Sequence, residues 1–299
     1  HGRSGYTLSL TNTDPVKTMY FPKFNWIKID NPYMTYPETD ELMAEVLKNE
    51  ELAILQIKKA LKDNADDIAA LIIEPIQGEG GDNHFRCQFF QMLRDLADDN
   101  EFLLIYDEVQ TGIGITGKMW AHENFTPKLC QCDPPIKKAP IPDIVSFGKK
   151  TQVCGILVGD RINEVKDNVF KKSSRINSTF GGNLVDMYRF KLILEIIEEE
   201  SLLENSLKMG KYLLNSINDL SIEFPGYVTN PRGVGLFCAF DLPSTLERDK
   251  FTSLMLEKRV MILGSGTKSI RFRPHLNVLK SDLDFCINAV HSSLKEMLN

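Results

Sequence analysis

The stretch from Phe102 to Gly117 constrains this chain most. Phe102 to Tyr106 is an unbroken apolar run of strand length, the pattern of a strand buried on both faces, and it ends in two acids, Asp107 and Glu108. Open α/β sheets take their ligands at the carboxyl ends of such strands, so Asp107 is a candidate site residue; a solvated turn acid is the plain alternative. Gly112, Gly114 and Gly117 also fit the G-x-G-x-x-G spacing of a dinucleotide fingerprint. That fingerprint starts directly after its strand and opens a long helix. Here Asp107 to Thr111 intervene, and Pro127 arrives too soon for a crossover helix. The glycines therefore read as a tight loop, and a nicotinamide-dependent dehydrogenase has only them to rest on.

Two further strands of the buried kind flank this one. Ile68 to Ile73 ends in Glu74, and Ile144 to Phe147 ends in Gly148, Lys149 and Lys150. A helix is expected over Glu38–Lys62, with Leu47, Ile54, Ile57 and Leu61 inward, and another over Phe89–Asp99 on Phe89, Phe90, Leu93 and Leu96. Strand, helix and strand at this spacing make a parallel βαβ unit, which brings Glu74, Asp107 and Lys149 to one sheet edge. There they form either a site or a structural ion pair. Residues 126–143, rich in Pro, Lys and Cys, read as a surface insertion. A long helix over Leu184–Glu200 should bury Leu192, Ile193, Ile196 and Ile197. After the next helix, about Leu202 to Leu220, the pattern becomes a smaller α+β unit, so the expected division is 1–200 and 201–299.

Bulk properties exclude several classes. A net charge of −6 speaks against nucleic acid as a main partner. No apolar run approaches the roughly 20 residues of a membrane span. The six cysteines are mostly scattered, as suits reduced thiols in the cytosol or a similar compartment. Cys130 and Cys132 are the only close pair, and no further ligands follow at a recognisable metal-site spacing, so no metal is expected.

A lysine on a strand-to-loop turn beside buried acids can form an imine with an aldehyde. With pyridoxal phosphate as partner, an aspartate would keep the pyridine nitrogen protonated, and Thr179 with Gly181 and Gly182 offers a place for phosphate. The residues then reach a resemblance. Asp107-Glu108-Val109-Gln110, the run Glu74 to Gly81, Asp143 to Lys149, and Ile270 to Pro274 together resemble the class III pyridoxal-phosphate aminotransferases, over nearly the whole chain. Within that family, His1 to Thr13, Phe147 to Gly155 and Asn177 to Asn183 are most similar to the branch that acts on the ε-amino group of lysine.

The resemblance implies an α/β, aspartate-aminotransferase-like fold. It has a large domain with a mostly parallel sheet and a smaller α+β C-terminal domain. It also implies a homodimer with shared sites and transfer of the lysine ε-amino group to 2-oxoglutarate. An aminotransferase for 4-aminobutyrate or another ω-amino acid is the alternative. Residue by residue, Lys149 resembles the imine-forming lysine, six positions after Asp143, with Lys150 as its rival. Asp107 resembles the acid on the pyridine nitrogen, Val109 the residue on the ring face, Gln110 the partner of the ring hydroxyl, and Thr179 the threonine that reaches the neighbouring subunit's phosphate. Arg3 resembles the clamp on a substrate carboxylate. Glu79 and Arg271 resemble a switch pair that admits an uncharged chain when joined and a second carboxylate when parted; a plain salt bridge is the alternative for Arg271. The family's main phosphate loop, and an aromatic residue that stacks on the cofactor, precede the region matched by His1. The expectation is thus an N-terminally truncated chain that binds the cofactor poorly by itself, or an inactive fragment. Any organellar leader would have been lost with that segment.

Overall fold

The structure, a computed structural model, describes residues 2, 4–12, 15–130 and 132–298. Two short helices, α1 (Gly5–Leu10) and α2 (Pro15–Thr18), precede the long α3 (Asp40–Asp63). Thr39 caps α3 by accepting from the Leu42 amide, and Asp40 and Glu41 complement the positive end of the helix. Then come β1 (Ala70–Ile73), α4 (Cys87–Asp99), β2 (Leu103–Asp107), β3 (Ile144–Phe147) and β4 (Gly155–Val158). They form one four-stranded sheet in that order, with β1, β2 and β3 parallel and β4 antiparallel on the edge. The βαβ unit and the three strand ends stand as the sequence indicates; β4 was not anticipated.

After α5 (Leu184–Glu199) and α6 (Leu202–Glu223), a second sheet is built from β5 (Thr229–Val234), β6 (Phe237–Asp241), β7 (Leu263–Ser265) and β8 (Ser269–Phe272). Its order is β5-β6-β8-β7, all antiparallel, with α7 (Thr245–Glu257) and α8 (Lys280–Leu298) beside it. Phe237, Phe240, Phe251, Leu213 and Ile217 close its core.

Three expectations about burial are corrected. One face of β2, Leu104 and Tyr106, is sealed by Phe90 and Leu93 of α4, but Leu103 and Ile105 are only half-buried and Ile72 of β1 is exposed. Helices cover one side of this sheet and only part of the other. On α3, Ile54, Ile57 and Leu61 pack on the core as expected, but Leu47 is exposed, and the first half of the helix buries Val46 and Glu50 instead, with Glu50 paired to Arg86. On α5 only Ile197 is fully buried; Leu192 and Ile196 face solvent, 40% and 45% exposed.

The glycine loop proves to be a packing device. A β-carbon on Gly117 would stand 2.2 Å from Leu207 of α6, and one on Gly235 would stand 2.6 Å from the Ile115 carbonyl. The Leu236 amide donates to that carbonyl at 2.8 Å. The loop is thus wedged between α6 and the β5–β6 turn, and only a short 3-10 turn, Ala121–Asn124, follows it. Gly210 of α6 meets the same turn: a β-carbon there would lie 2.1 Å from the Gly235 carbonyl group, a backbone collision that no rotamer relieves. Gly210→Ala should destabilise by about 3 kcal/mol or more. Gly226→Ala, with open space around its β-carbon but a φ of +76°, should cost only about 1–2 kcal/mol. Thermal melts of the two variants check the order, and a Gly210→Ala midpoint equal to wild type would contradict the packing.

Candidate active site

The carboxyl ends of β1, β2 and β3 lie side by side. Ile73 is level with Tyr106, and Asp107 is level with Ser146, so Glu74, Asp107 and the Gly148–Lys149 turn leave the sheet at one edge. The register is fixed by Asp143 at the start of β3. Its Oδ2 accepts from the Leu104 amide at 2.7 Å and from Arg94 of α4 at 3.0 Å, while its own amide donates to the Leu104 carbonyl at 2.8 Å. Asp107 is buried, and its Oδ1 accepts from the Val109 amide at 3.1 Å. A β-carbon on Gly148 would stand 3.1 Å from the Cys154 sulfur, so glycine there gives the chain after β3 room against β4, with Val109 in ordinary contact at 3.7 Å. A β-carbon on Gly78 would meet Gln110 closer still, at 2.5 Å.

The two lysines differ. Lys149 is exposed and holds a left-handed backbone, φ +54°, an uncommon state for a side chain of its size. Lys150 is half-buried and donates to the Gln110 carbonyl at 2.7 Å. Burial, with Arg273 nearby, pulls the Lys150 ammonium down to about 8. Glu74 is pushed up to about 7 by burial and by the charge of Asp107, against the pull of the Gly78 amide that donates to it at 3.0 Å.

The loop after β1 is clamped from the second sheet. Gln77 and Asn83 exchange backbone hydrogen bonds at 3.0 Å, closing it into a hairpin. Arg232, 2% exposed, donates to the carbonyls of Gly81 and Asp82, to Asp241 and to Ser269. Arg273 grips Asp82 with both terminal nitrogens, at 2.8 and 2.6 Å, and lies over the Phe237 ring. This clamp presents Glu79. One Glu79 oxygen meets Arg271 at 3.0 Å and the other meets Lys17 of α2 at 2.7 Å. Burial works to raise Glu79, but the Lys17 hydrogen bond and the Arg271 charge outweigh it and hold the carboxyl below its ordinary range.

The structure therefore brings together Glu74, Asp107, Val109, Gln110, Lys149 and Lys150, and it joins Glu79 to Arg271. Thr179 lies in an exposed turn between β4 and α5. Arg3 lies outside the described residues. Two open cavities, about 420 Å³ beside Ser9, Lys23 and Trp26 and about 390 Å³ beside Tyr36, His84 and Arg232, are not lined by these strand ends. Sequence reasoning missed Lys17, Arg232 and Arg273, whose contacts with the loop after β1 join residues distant along the chain. Nor did it assign a role to Glu108, the second acid at the end of β2. Glu108 is buried and accepts from Thr111, the amides of Ala121 and His122, and the His122 ring, so it ties down the glycine loop.

The family model for aminotransferase class-III matches residues 1–294. L-lysine-epsilon aminotransferase of Mycobacterium tuberculosis (strain ATCC 25618 / H37Rv) is 50% identical over 294 residues, covering 98% of this chain and 62% of the relative. The 4-aminobutyrate aminotransferase of Dictyostelium discoideum is 34% identical, over 99% of this chain and 56% of its own. A solved structure described as lysine aminotransferase from M. tuberculosis in the internal aldimine form superposes with a TM-score of 0.91 at 47% identity, covering 99% of this chain and 64% of that one. The chain spans about three-fifths of the length of these relatives.

Raised above its value in the unfolded chain, Glu74 weakens the fold as pH climbs from about 4.5 to about 7, because the folded state holds a proton that the unfolded state has released. Glu74→Gln should therefore gain stability relative to wild type across that window and hold the gain above it. Denaturant titrations at several pH values check this; a difference that shrinks with rising pH would contradict it.

Proposed function

The chain belongs to the class-III aminotransferases, and on that premise we propose that the whole protein moves the ε-amino group of L-lysine to 2-oxoglutarate with pyridoxal phosphate. The observation that carries the reading is the pairing of Asp107 with Ser146 on adjacent parallel strands, which brings a buried carboxylate and the Lys149 turn to one edge. The residues fit the cofactor. Ser146 Oγ, at the carboxyl end of β3 beside Asp107, is buried without a partner among the described residues and so is free to bond such a group. The greater identity to lysine-acting relatives than to 4-aminobutyrate aminotransferases supports lysine as donor.

When bound, the cofactor supplies an aldehyde and a ring that draws electrons from the carbon next to the substrate nitrogen. Asp107 would hold the proton on the ring nitrogen, Val109 would pack on the ring face, Gln110 would bond the ring hydroxyl, and Thr179 would reach the phosphate of a partner subunit. Lys149 would hold the aldehyde and, once released, move a proton as general base and acid. Arg3 would clamp the α-carboxylate of lysine. Glu79 would neutralise Arg271 while the amine donor is present; the same arginine, released, would take the second carboxylate of 2-oxoglutarate. Lys17 competes for Glu79 and so favours that release. Exposed apolar residues on α5, Leu184, Val185 and Tyr188, support a dimer whose second copy covers them.

One observation favours Lys150 instead: burial depresses its ammonium. We assign Lys149 because the Lys150 ammonium is already engaged by the Gln110 carbonyl. Borohydride reduction of the loaded, complete protein followed by peptide mass spectrometry should place the pyridoxyl group on Lys149; its appearance on Lys150 would overturn the assignment. In the complete protein Lys149→Ala should lower kcat by at least about a thousandfold, on the order of the loss of a covalent nucleophile and its base. In a coupled glutamate assay lysine should outperform 4-aminobutyrate, and the reverse preference would sink the substrate reading. Glu79→Gln should raise KM for lysine and leave that for 2-oxoglutarate little changed.

A further inference from the structure

Three thiols converge where the segment after Phe125 crosses the start of α4. Cys87 is the first residue of α4, and Cys130 and Cys132 lie on the segment. Their Sγ atoms all stand within 4.8 Å of one another, each residue is half-buried, and none is in a disulfide. The sequence shows only the Cys130–Cys132 pair; the fold supplies the third thiol from a distant helix.

The scaffold around them is pinned on both sides. Phe125 stacks on Phe90 at 4.4 Å, and the Cys130 amide donates to the Thr126 carbonyl at 2.8 Å. Gln88, next to Cys87, donates to the Pro134 carbonyl at 2.7 Å, and Tyr106 donates to the Pro140 carbonyl at 2.9 Å. The thiols are therefore held together by the fold and do not depend on a bond among themselves. A disulfide would use two of them and strand the third. Thiolates sharing one zinc ion, with Zn–S bonds of about 2.3 Å, stand about 3.8 Å apart, inside the observed limit. A set of three sulfurs with no oxygen donor among the group selects a soft, thiophilic cation and rejects calcium or magnesium.

We propose that Cys87, Cys130 and Cys132 bind one zinc ion as thiolates, with water in the fourth position. Each Zn–S bond forms as a thiol proton leaves to solvent, and no electron is transferred. The ion staples the segment to α4. That segment runs directly into Asp143 and β3, so the staple stiffens the approach to the Lys149 turn without touching it. The site is structural and independent of the transamination reading.

The test uses the complete protein, purified under reducing conditions, stripped with a chelator and dialysed against zinc chloride. Elemental analysis should find one zinc per chain. Cys132→Ser and Cys87→Ser, each removing a direct ligand, should weaken zinc binding by more than the about 10- to 100-fold that losing an outer-shell partner costs, while Cys286→Ser on α8 should keep it. Zinc should raise the melting midpoint of wild type and leave that of Cys132→Ser unmoved. Cobalt in place of zinc should give the wild type a thiolate-to-metal charge-transfer band, a readout that requires no variant to fold. Substoichiometric zinc in wild type, no such band, full zinc retention by Cys132→Ser, or a disulfide between any two of these cysteines in peptide maps of unreduced protein would each overturn the proposal.

Discussion

The buried carboxylate of Asp143 is the contact on which the arrangement of the strand ends depends. It takes the Leu104 amide and the Arg94 guanidinium at once, so it fixes β3 against β2 and both against α4. A buried ion pair is weak evidence of stability in itself, since desolvating the two charges offsets much of their attraction. Its value here is register. A slip of one residue between β2 and β3 would turn every side chain of β3 to the other face and carry the Lys149 turn away from Asp107. Four strand residues then climb from Asp143 to the edge, Gly148 passes close to the Cys154 sulfur, and the lysine emerges in a left-handed turn. The spacing between aspartate and lysine is thus the length of one strand between an anchor and an edge.

The second sheet governs the other half of the site. Arg232 and Arg273 hold the loop after β1 through its carbonyls and Asp82, and Glu79 is delivered to Arg271 as a consequence. A carboxylate shared between Arg271 and Lys17 is well suited to a switch. Neither cation has to be left bare when the other is called away, and a pair already 41% open to water on the acid side is inexpensive to part.

What could be read from the chain and what could not follows the range of the interaction. The apolar runs ending in Glu74, Asp107 and Lys149 are local patterns, and they predicted a parallel sheet with its chemistry at one edge. The decoy glycines were rejected on local grounds too, though their use, wedging between α6 and the β5–β6 turn, needed the tertiary structure. β4 escaped notice because four residues, Gly155 to Val158, carry too little pattern. β5 escaped because Pro231 and a bulge disguise an edge strand. Leu47 is exposed while Glu50, paired with Arg86, is buried one turn on, an exchange the apolar pattern of the helix does not announce. The meeting of Glu79 with Arg271 was legible only through family resemblance. The clamp by Arg232 and the meeting of Cys87 with Cys130 and Cys132 join distant residues, and no spacing along the chain announces them.

The most direct measurement is a crystal structure of the complete protein loaded with pyridoxal phosphate. The expected result has an Asp107 oxygen within hydrogen-bond distance of the ring nitrogen, the ring seated against Val109, and density continuous from the cofactor into the Lys149 side chain. A ring bound away from the β2 and β3 ends, or Asp107 turned from it, would contradict the central claim that these two strand ends hold the chemistry.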